Sequence, residues 1–485
     1  MAKLISSHSM QRRAACAFLL MLLLGIPLLA LPLSASAANG NSDWSPPVNF
    51  SQQPDLISTS PVLLCDRYQN THAFWVESKA QQASIFYRND ASSEWSVPRD
   101  IIAAPSVLSL TAAQGPDNTI YLLWSTGLTG GDLVFTRAPL AGVSDPRQWS
   151  APTTLANSIS SGSLYVDAQN TLHLVYGQSD ETARIHDLIY IRSTDGGATW
   201  RQPVTVLTVA TPVSAVLGAD IAVDQKGRLH VDWGISSQDY GVYSRLGYVR
   251  SVDNGFTWSA PIELASSSTA PGVAVPAVFL FGEDEVHLTW DEPIRRHQWS
   301  TDGGETWSKP DTIMELGAAF GGANKLAKDS ADTLHVIAAV GEGVFHATWN
   351  GDGWNPREAV DTRSFDPHGQ QLVVCQGNRL HVAYYDRTAE NEIWYSSKTT
   401  NAPVLARTAI TVSEPAAPPT TLVEADRSAT RVSPTATPRT PSAFAPEPTS
   451  APAAASAVTA TIVGATTSAI LVIGVVVAAL SRRRR

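Results

Sequence analysis

Cysteine is scarce, with three residues in 485. Cys16 sits at the front of the N-terminal apolar run rather than after it, which excludes a lipoprotein box. The remaining two, Cys65 and Cys375, are too few for a disulfide scaffold, so the core must come from burial. A hydrophobic content of 44% with 14 Trp can supply that core. Charge is thin as well: charged residues make up 16% of the chain and the formal net charge is −10. Setting aside Lys3, Arg12, Arg13 and Arg482 to Arg485 leaves about −17, which excludes nucleic acid as a partner. A sustained helical period is missing from 44–398, where period-2 runs are separated by Gly, Pro, Asp and Asn. No L-P-x-T-G motif precedes the C-terminal apolar run, so sortase attachment has no support.

What is present divides the chain into five parts. Residues 1–37 read as a secretory signal peptide, with Lys3, Arg12 and Arg13 ahead of an apolar run and Ala35-Ser36-Ala37 as the cleavage site. Residues 38–398 are the expected folded body. Residues 399–458, rich in Pro, Ala, Thr and Ser, cannot bury a core and read as an extended, solvated stalk. Residues 459–481 are apolar and uncharged, long enough for a transmembrane helix. The Arg482 to Arg485 tail then belongs in the cytoplasm. The expectation is an exported body anchored in the cell membrane by one C-terminal pass.

Inside the body one shape recurs. Ser300-Thr301-Asp302-Gly303-Gly304-Glu305-Thr306-Trp307 has counterparts at Ser193 to Trp200 and at Ser251 to Trp258. In this S-x-D-x-G-x-x-W pattern the Asp carboxylate can accept N–H groups of its own turn. The Gly (197, 255 or 304) supplies positive φ. The Trp folds its apolar face over the turn. A second signal is a short apolar, often His-bearing run, as at Thr71 to Trp75 and Leu229 to Trp233, recurring at intervals of roughly 50 residues. That spacing predicts four antiparallel strands per unit and an all-β propeller. Seven blades are counted, or six if 103–155 is an insertion. The last unit lacks its fourth strand, and Trp44 to Phe50 is the expected replacement, closing the ring.

The three turns resemble the Asp-boxes, or BNR repeats, of the sialidase-like superfamily, carried here by Asp195, Gly197 and Trp200, by Asp253, Gly255 and Trp258, and by Asp302, Gly304 and Trp307. The resemblance implies a β-propeller whose Asp-boxes lie on the rim, away from any active site. Its members include sialidases, other glycosidases, lyases, sorting receptors and binding propellers, so fold leaves function open. A sialidase-like site would need three convergent arginines, a Tyr–Glu pair and an Asp acid/base. The region expected to carry the first arginine, Asn49 to Asp66, contains none.

Candidate ligand groups are sought in the loops joining second to third strands, on the face opposite the Asp turns. They are Arg184, Tyr240, Arg245, Asp291, Arg295, Arg296 and Arg387, with Asp180, Glu181, His186, Asp239, Tyr243, Asp386 and Glu390 nearby. Convergent charges and tyrosines would suit a glycan or an extracellular protein. If hydrolysis occurs, as in an atypical sialidase-like glycoside hydrolase, Asp291 and Glu292 are the carboxylates to suspect. The repeated histidines His72, His173, His230, His287, His335 and His381 read as one structural position in successive units, too far apart for a metal. No metal or cofactor is expected. Cys65 and Cys375 end the inner strands of the first and last units. Sevenfold geometry spaces such positions ~7–9 Å apart, beyond the ~6.8 Å limit of a bridge, so two free, buried thiols are expected.

Overall fold

The computed structural model describes residues 43–408 apart from 81, 128–129, 180–184, 211–214, 237–242, 267–273, 293, 317–324, 341, 364–365 and 388–391. The expected signal peptide, the stalk beyond residue 408, the apolar span and the Arg tail lie outside the described residues. Among the described residues no helix is long and apolar enough to cross a membrane.

The architecture is all-β and propeller-like. After β1 (Val48–Asn49), the strands β2 (Ile57–Cys65), β3 (Thr71–Lys79), β4 (Gln82–Asn89) and β5 (Arg99–Ala104) form an antiparallel sheet in that order. A seven-stranded sheet follows: β6 (Ser109–Gln114), β7 (Thr119–Ser125), β8 (Gly131–Pro139), β9 (Thr153–Val166), β10 (Leu172–Ser179), β11 (Ile185–Ser193) and β12 (Val204–Ala210). Its long β9 pairs β8 through its first half and β10 through its second, serving as outer strand to one set of four and inner strand to the next. The third sheet is β13 (Ala215–Val223), β14 (Leu229–Ser236), β15 (Tyr243–Ser251) and β16 (Ile262–Ser266). The fourth is β17 (Ala274–Phe281), β18 (Glu285–Asp291), β19 (Ile294–Ser300) and β20 (Asp311–Glu315). The fifth is β21 (Lys325–Lys328), β22 (Leu334–Val340), β23 (Gly343–Trp349) and β24 (Glu358–Asp361). In the last sheet β25 (Pro367–Cys375), β26 (Arg379–Asp386) and β27 (Ile393–Thr399) are completed by β1, which pairs Val48 with Tyr395 and Asn49 with Trp394.

The second strands are the apolar runs of the sequence, and burial on both faces explains their lack of alternation. In β3 every residue from Thr71 to Glu77 is buried, and in β22 all seven are. Most hydrophobic clusters lie between one sheet and the next, and one lies between the two halves of the seven-stranded sheet. Phe74 and Ile85 meet Leu122 and Trp124, while Phe50 and Trp75 meet Ala383 and Tyr395 across the junction of first and last sheets. Neighbouring turns are also tied: Arg67 donates to the Pro116 carbonyl at 2.6 Å, Lys328 pairs with Glu285 at 2.9 Å, and the Gln376 N–H donates to Gln69 at 2.7 Å.

The repeated histidines have a structural answer. In three sets the ring is held between an Asp of the preceding turn and a Tyr of the third strand: Asp66–His72–Tyr87, Asp167–His173–Tyr190 and Asp224–His230–Tyr248. In β19 and β23 a second histidine replaces the tyrosine, giving His287–His297 at 2.8 Å and His335–His346 at 3.0 Å. Burial depresses His230, His287, His297, His335 and His346, with His335 pushed to about 4 and His297 to about 3, so these two are neutral at physiological pH. Among the described residues no group of three or more His, Cys, Asp or Glu is placed to hold a metal.

The expectation of free thiols is overturned. Cys65 and Cys375 are disulfide-bonded, with Cα atoms 5.5 Å apart. The ideal ring spacing failed because the first and last inner strands converge at their turn ends, where Gln69 and Gln376 also bond.

Candidate functional site

Antiparallel order puts the first-to-second and third-to-fourth connections at one end of each sheet, the turn face, and the second-to-third connections at the other, the open face. The Asp turns occupy the first. Asp302 accepts the N–H groups of Glu305 and Thr306 at 2.9 Å each, and Ser300 Oγ accepts the Gly304 N–H at 2.8 Å. The same wiring recurs around Asp195 and Asp253. These donors depress all three carboxyls, Asp253 to about 2. Gly304 has φ +81°, and a Cβ there would also meet the Tyr248 hydroxyl. Trp307 does more than cover its own turn: it packs edge-on against Tyr248 of the preceding sheet at 5.0 Å, as Trp258 does on Tyr190 and Trp95 on Tyr395. The turns are couplings between sheets.

On the open face the structure assembles the candidates as ion pairs. Asp291 and Arg295 end β18 and begin β19, and the guanidinium grips the carboxylate through two bonds of 2.7 and 2.9 Å. Arg295 also donates to the Ile337 carbonyl of the next sheet at 2.6 Å. Both side chains are fully buried. The expected ligand contact through Asp291 and Arg295 is therefore replaced by a supporting role: four residues apart across a tight connection, they neutralise each other and present no surface. Glu292 and Arg296 pair at 3.2 Å just above them, each 28% exposed, and Trp290 donates its indole N–H to Glu292. Arg245 pairs with Glu263 at 2.8 Å on the surface. Arg387, exposed, lies 3.9 Å from Asp366 and 3.5 Å from His368. Arg184, Tyr240, Asp180, Glu181, Asp239 and Glu390 lie outside the described residues.

Two groups escaped the sequence reading. Arg363, after β24, chelates the buried Asp361 carboxylate, to which Tyr384 also donates, and its guanidinium stacks 3.9 Å over the Trp394 ring. Glu77 closes β3 in a buried nest: Ser58 Oγ lies 2.9 Å from each carboxylate oxygen, and the Trp75 indole N–H donates at 2.5 Å. Burial raises Glu77 to about 7, against the pull of Trp75 and Ser58, and the charge of Glu392 pushes the same way. Glu392, also buried, accepts from Ser51. A signal for Glu77 and Glu292 was available: Trp75-Val76-Glu77 and Trp290-Asp291-Glu292 are W-x-E repeats at the end of a second strand, each with its indole on its own glutamate.

Fold and site together define an all-β, propeller-like protein whose Asp turns couple its sheets and whose opposite face gathers paired charges. Residues 140–312 match the BNR repeat-like domain family. Residues 140–312 thus carry BNR-like repeats within a propeller-like all-β architecture. No curated protein matches it in sequence. Among solved structures it resembles a protein of unknown function from Dyadobacter fermentans DSM 18053, at 12% identity and a TM-score of 0.50, covering 74% of this chain and 100% of that one. It also resembles the NanB sialidase from Streptococcus pneumoniae (10% identity, TM-score 0.44, 68% and 84% covered) and a PL25 ulvan lyase (11%, 0.48, 75% and 95%). These likenesses are of fold.

Proposed function

We propose that this chain is an exported, membrane-anchored binding propeller that takes a glycan or extracellular protein on its open face. We read the sheets as seven blades, counting β9 in two of them, with β1 closing the ring. The observation that carries the binding reading is the stack of Arg363 on Trp394, on the same face as the exposed Arg387 and Asp366 and the partly buried His368. A half-exposed guanidinium on an aromatic floor, flanked by acceptors and further cations, offers both the apolar face and the directional donors that a polar ligand needs. Arg245 and the Glu292–Arg296 pair add further charges on the same face. The disulfide supports an oxidising, extracytoplasmic location.

A glycan array probed with the mature protein tests the reading. Arg387→Ala should weaken binding tenfold or more, ~1.4 kcal/mol, at unchanged melting temperature, whereas Arg363→Ala should weaken it as much and also lower the melting temperature, because the buried Asp361 carboxylate loses its guanidinium. Full binding by the double variant would sink it. The alternative, a glycoside hydrolase, has one observation in its favour. Glu77, raised to about 7, would hold its proton near neutral pH as a general acid must, although it is buried. Turnover of a fluorogenic glycoside, lost in Glu77→Gln, would decide for that alternative.

A further inference from the structure

Composition puts residues 399–408 at the head of the stalk, yet the chain does not leave the body at Thr399. It turns back across the junction between the first and last sheets on the turn face. The Thr400 N–H donates to the Asn378 carbonyl and the Leu405 N–H to the Gln376 carbonyl, both at 2.8 Å. Ser330, from the neighbouring sheet, donates to the Pro403 carbonyl at 2.5 Å. The segment then crosses to the first sheet. Arg407 donates to the Asp90 carbonyl at 2.7 Å and the Gln69 carbonyl at 3.2 Å, and pairs with the Asp90 carboxylate at 2.6 Å. The Thr408 N–H reaches the Tyr68 carbonyl at 3.2 Å.

We propose that residues 400–408 are a strap that locks the first sheet to the last, with Arg407 as its pin. The junction has a particular need of one. In the other sheets the third strand runs into the fourth through a covalent turn, whereas here β27 and β1 come from opposite ends of the body and pair over two residues. A short, unlinked outer strand is the place where such a sheet frays first. The strap returns what the missing turn would supply, a connection from the last sheet to its neighbours. Cys65–Cys375 lies just beneath, next to Gln376 and in the same inner-strand turns as Gln69. Disulfide and strap therefore brace the same junction from inside and outside. Arg407 is suited to the pin because one planar guanidinium reaches several acceptors on one side.

Hydrogen exchange and thermal melting on the full chain test the lock, oxidised and after reduction of the disulfide. Arg407→Ala should speed exchange of the Gln69 and Asn70 amides and of the β1 amides by about tenfold. Its loss in melting temperature should be larger in the reduced protein than in the oxidised one, because the two braces substitute for each other. Arg407→Lys should recover part of the protection, and Arg147→Ala, an exposed pair with Asp145, should change neither reading. Faster exchange confined to 405–408, with Gln69, Asn70 and β1 still protected, would overturn the proposal. So would equal melting losses in the two redox states.

Discussion

Carboxylates at the two ends of the same strands live under opposite conditions. On the turn face Asp195, Asp253 and Asp302 stand near water, each ringed by N–H and hydroxyl donors of its own turn, and their pKa values fall. On the open face Glu77 is buried with hydroxyl and indole donors too few to offset its desolvation, and its pKa rises to about 7. Asp291, fully buried on the same face, has Arg295 buried with it as a partner. One face spends its acids on holding turns and sheets together. The other keeps acids that oppose folding or need a partner, and such groups cluster where ligands are handled.

The largest test of this contrast is at the junction. Cys65→Ser with Cys375→Ser removes a covalent loop of sequence separation 310, about 5 kcal/mol in the chain-entropy account. Thiol counting on the denatured, unreduced protein should find neither cysteine reactive. Next, Asp291→Ala should strand the Arg295 charge in the interior and destabilise by about 3–5 kcal/mol. A much smaller loss in denaturant unfolding would mean that water already reaches the pair.

Glu77→Gln should act in the other direction. The folded chain keeps the Glu77 proton up to about pH 7, while the unfolded chain releases it near 4.5. Native protein thus binds the extra proton in that window, and stability falls as pH rises through it. The variant should be more stable than the parent by about 2–3 kcal/mol at pH 8 and by little at pH 4. A gain independent of pH would rule out titration as its source.

The smallest effect belongs to the rim. Asp302→Ala leaves the Glu305 and Thr306 N–H groups to water rather than to vacuum, so the loss, discounted for solvent, should be about 1 kcal/mol. Ligand binding on the open face should be unchanged. Lost affinity at constant melting temperature would break the division between the two faces.

Much of the body was legible in the sequence. Local rules sufficed for the S-x-D-x-G-x-x-W turns, because an Asp, a Gly and their hydrogen bonds lie within a few residues. The spacing of the His-bearing runs announced repeated four-stranded units, and the orphan Trp44 to Phe50 segment pointed to the pairing now seen between β1 and β27. What the histidines do was half legible: the repeat marked a structural position, but their Asp and Tyr partners come from a turn and a neighbouring strand. The rest was decided by tertiary structure. Whether Cys65 and Cys375 meet depends on how two inner strands lean at one junction, a matter of a few ångströms between residues 310 apart. Whether Asp291 faces a ligand or Arg295 depends on burial, which the same charged letters leave open. Glu77 acquires its raised pKa only because packing buries it, with the charge of Glu392 nearby, against the pull of Trp75 and Ser58, and desolvation is a property of the packed chain, not of any stretch of it.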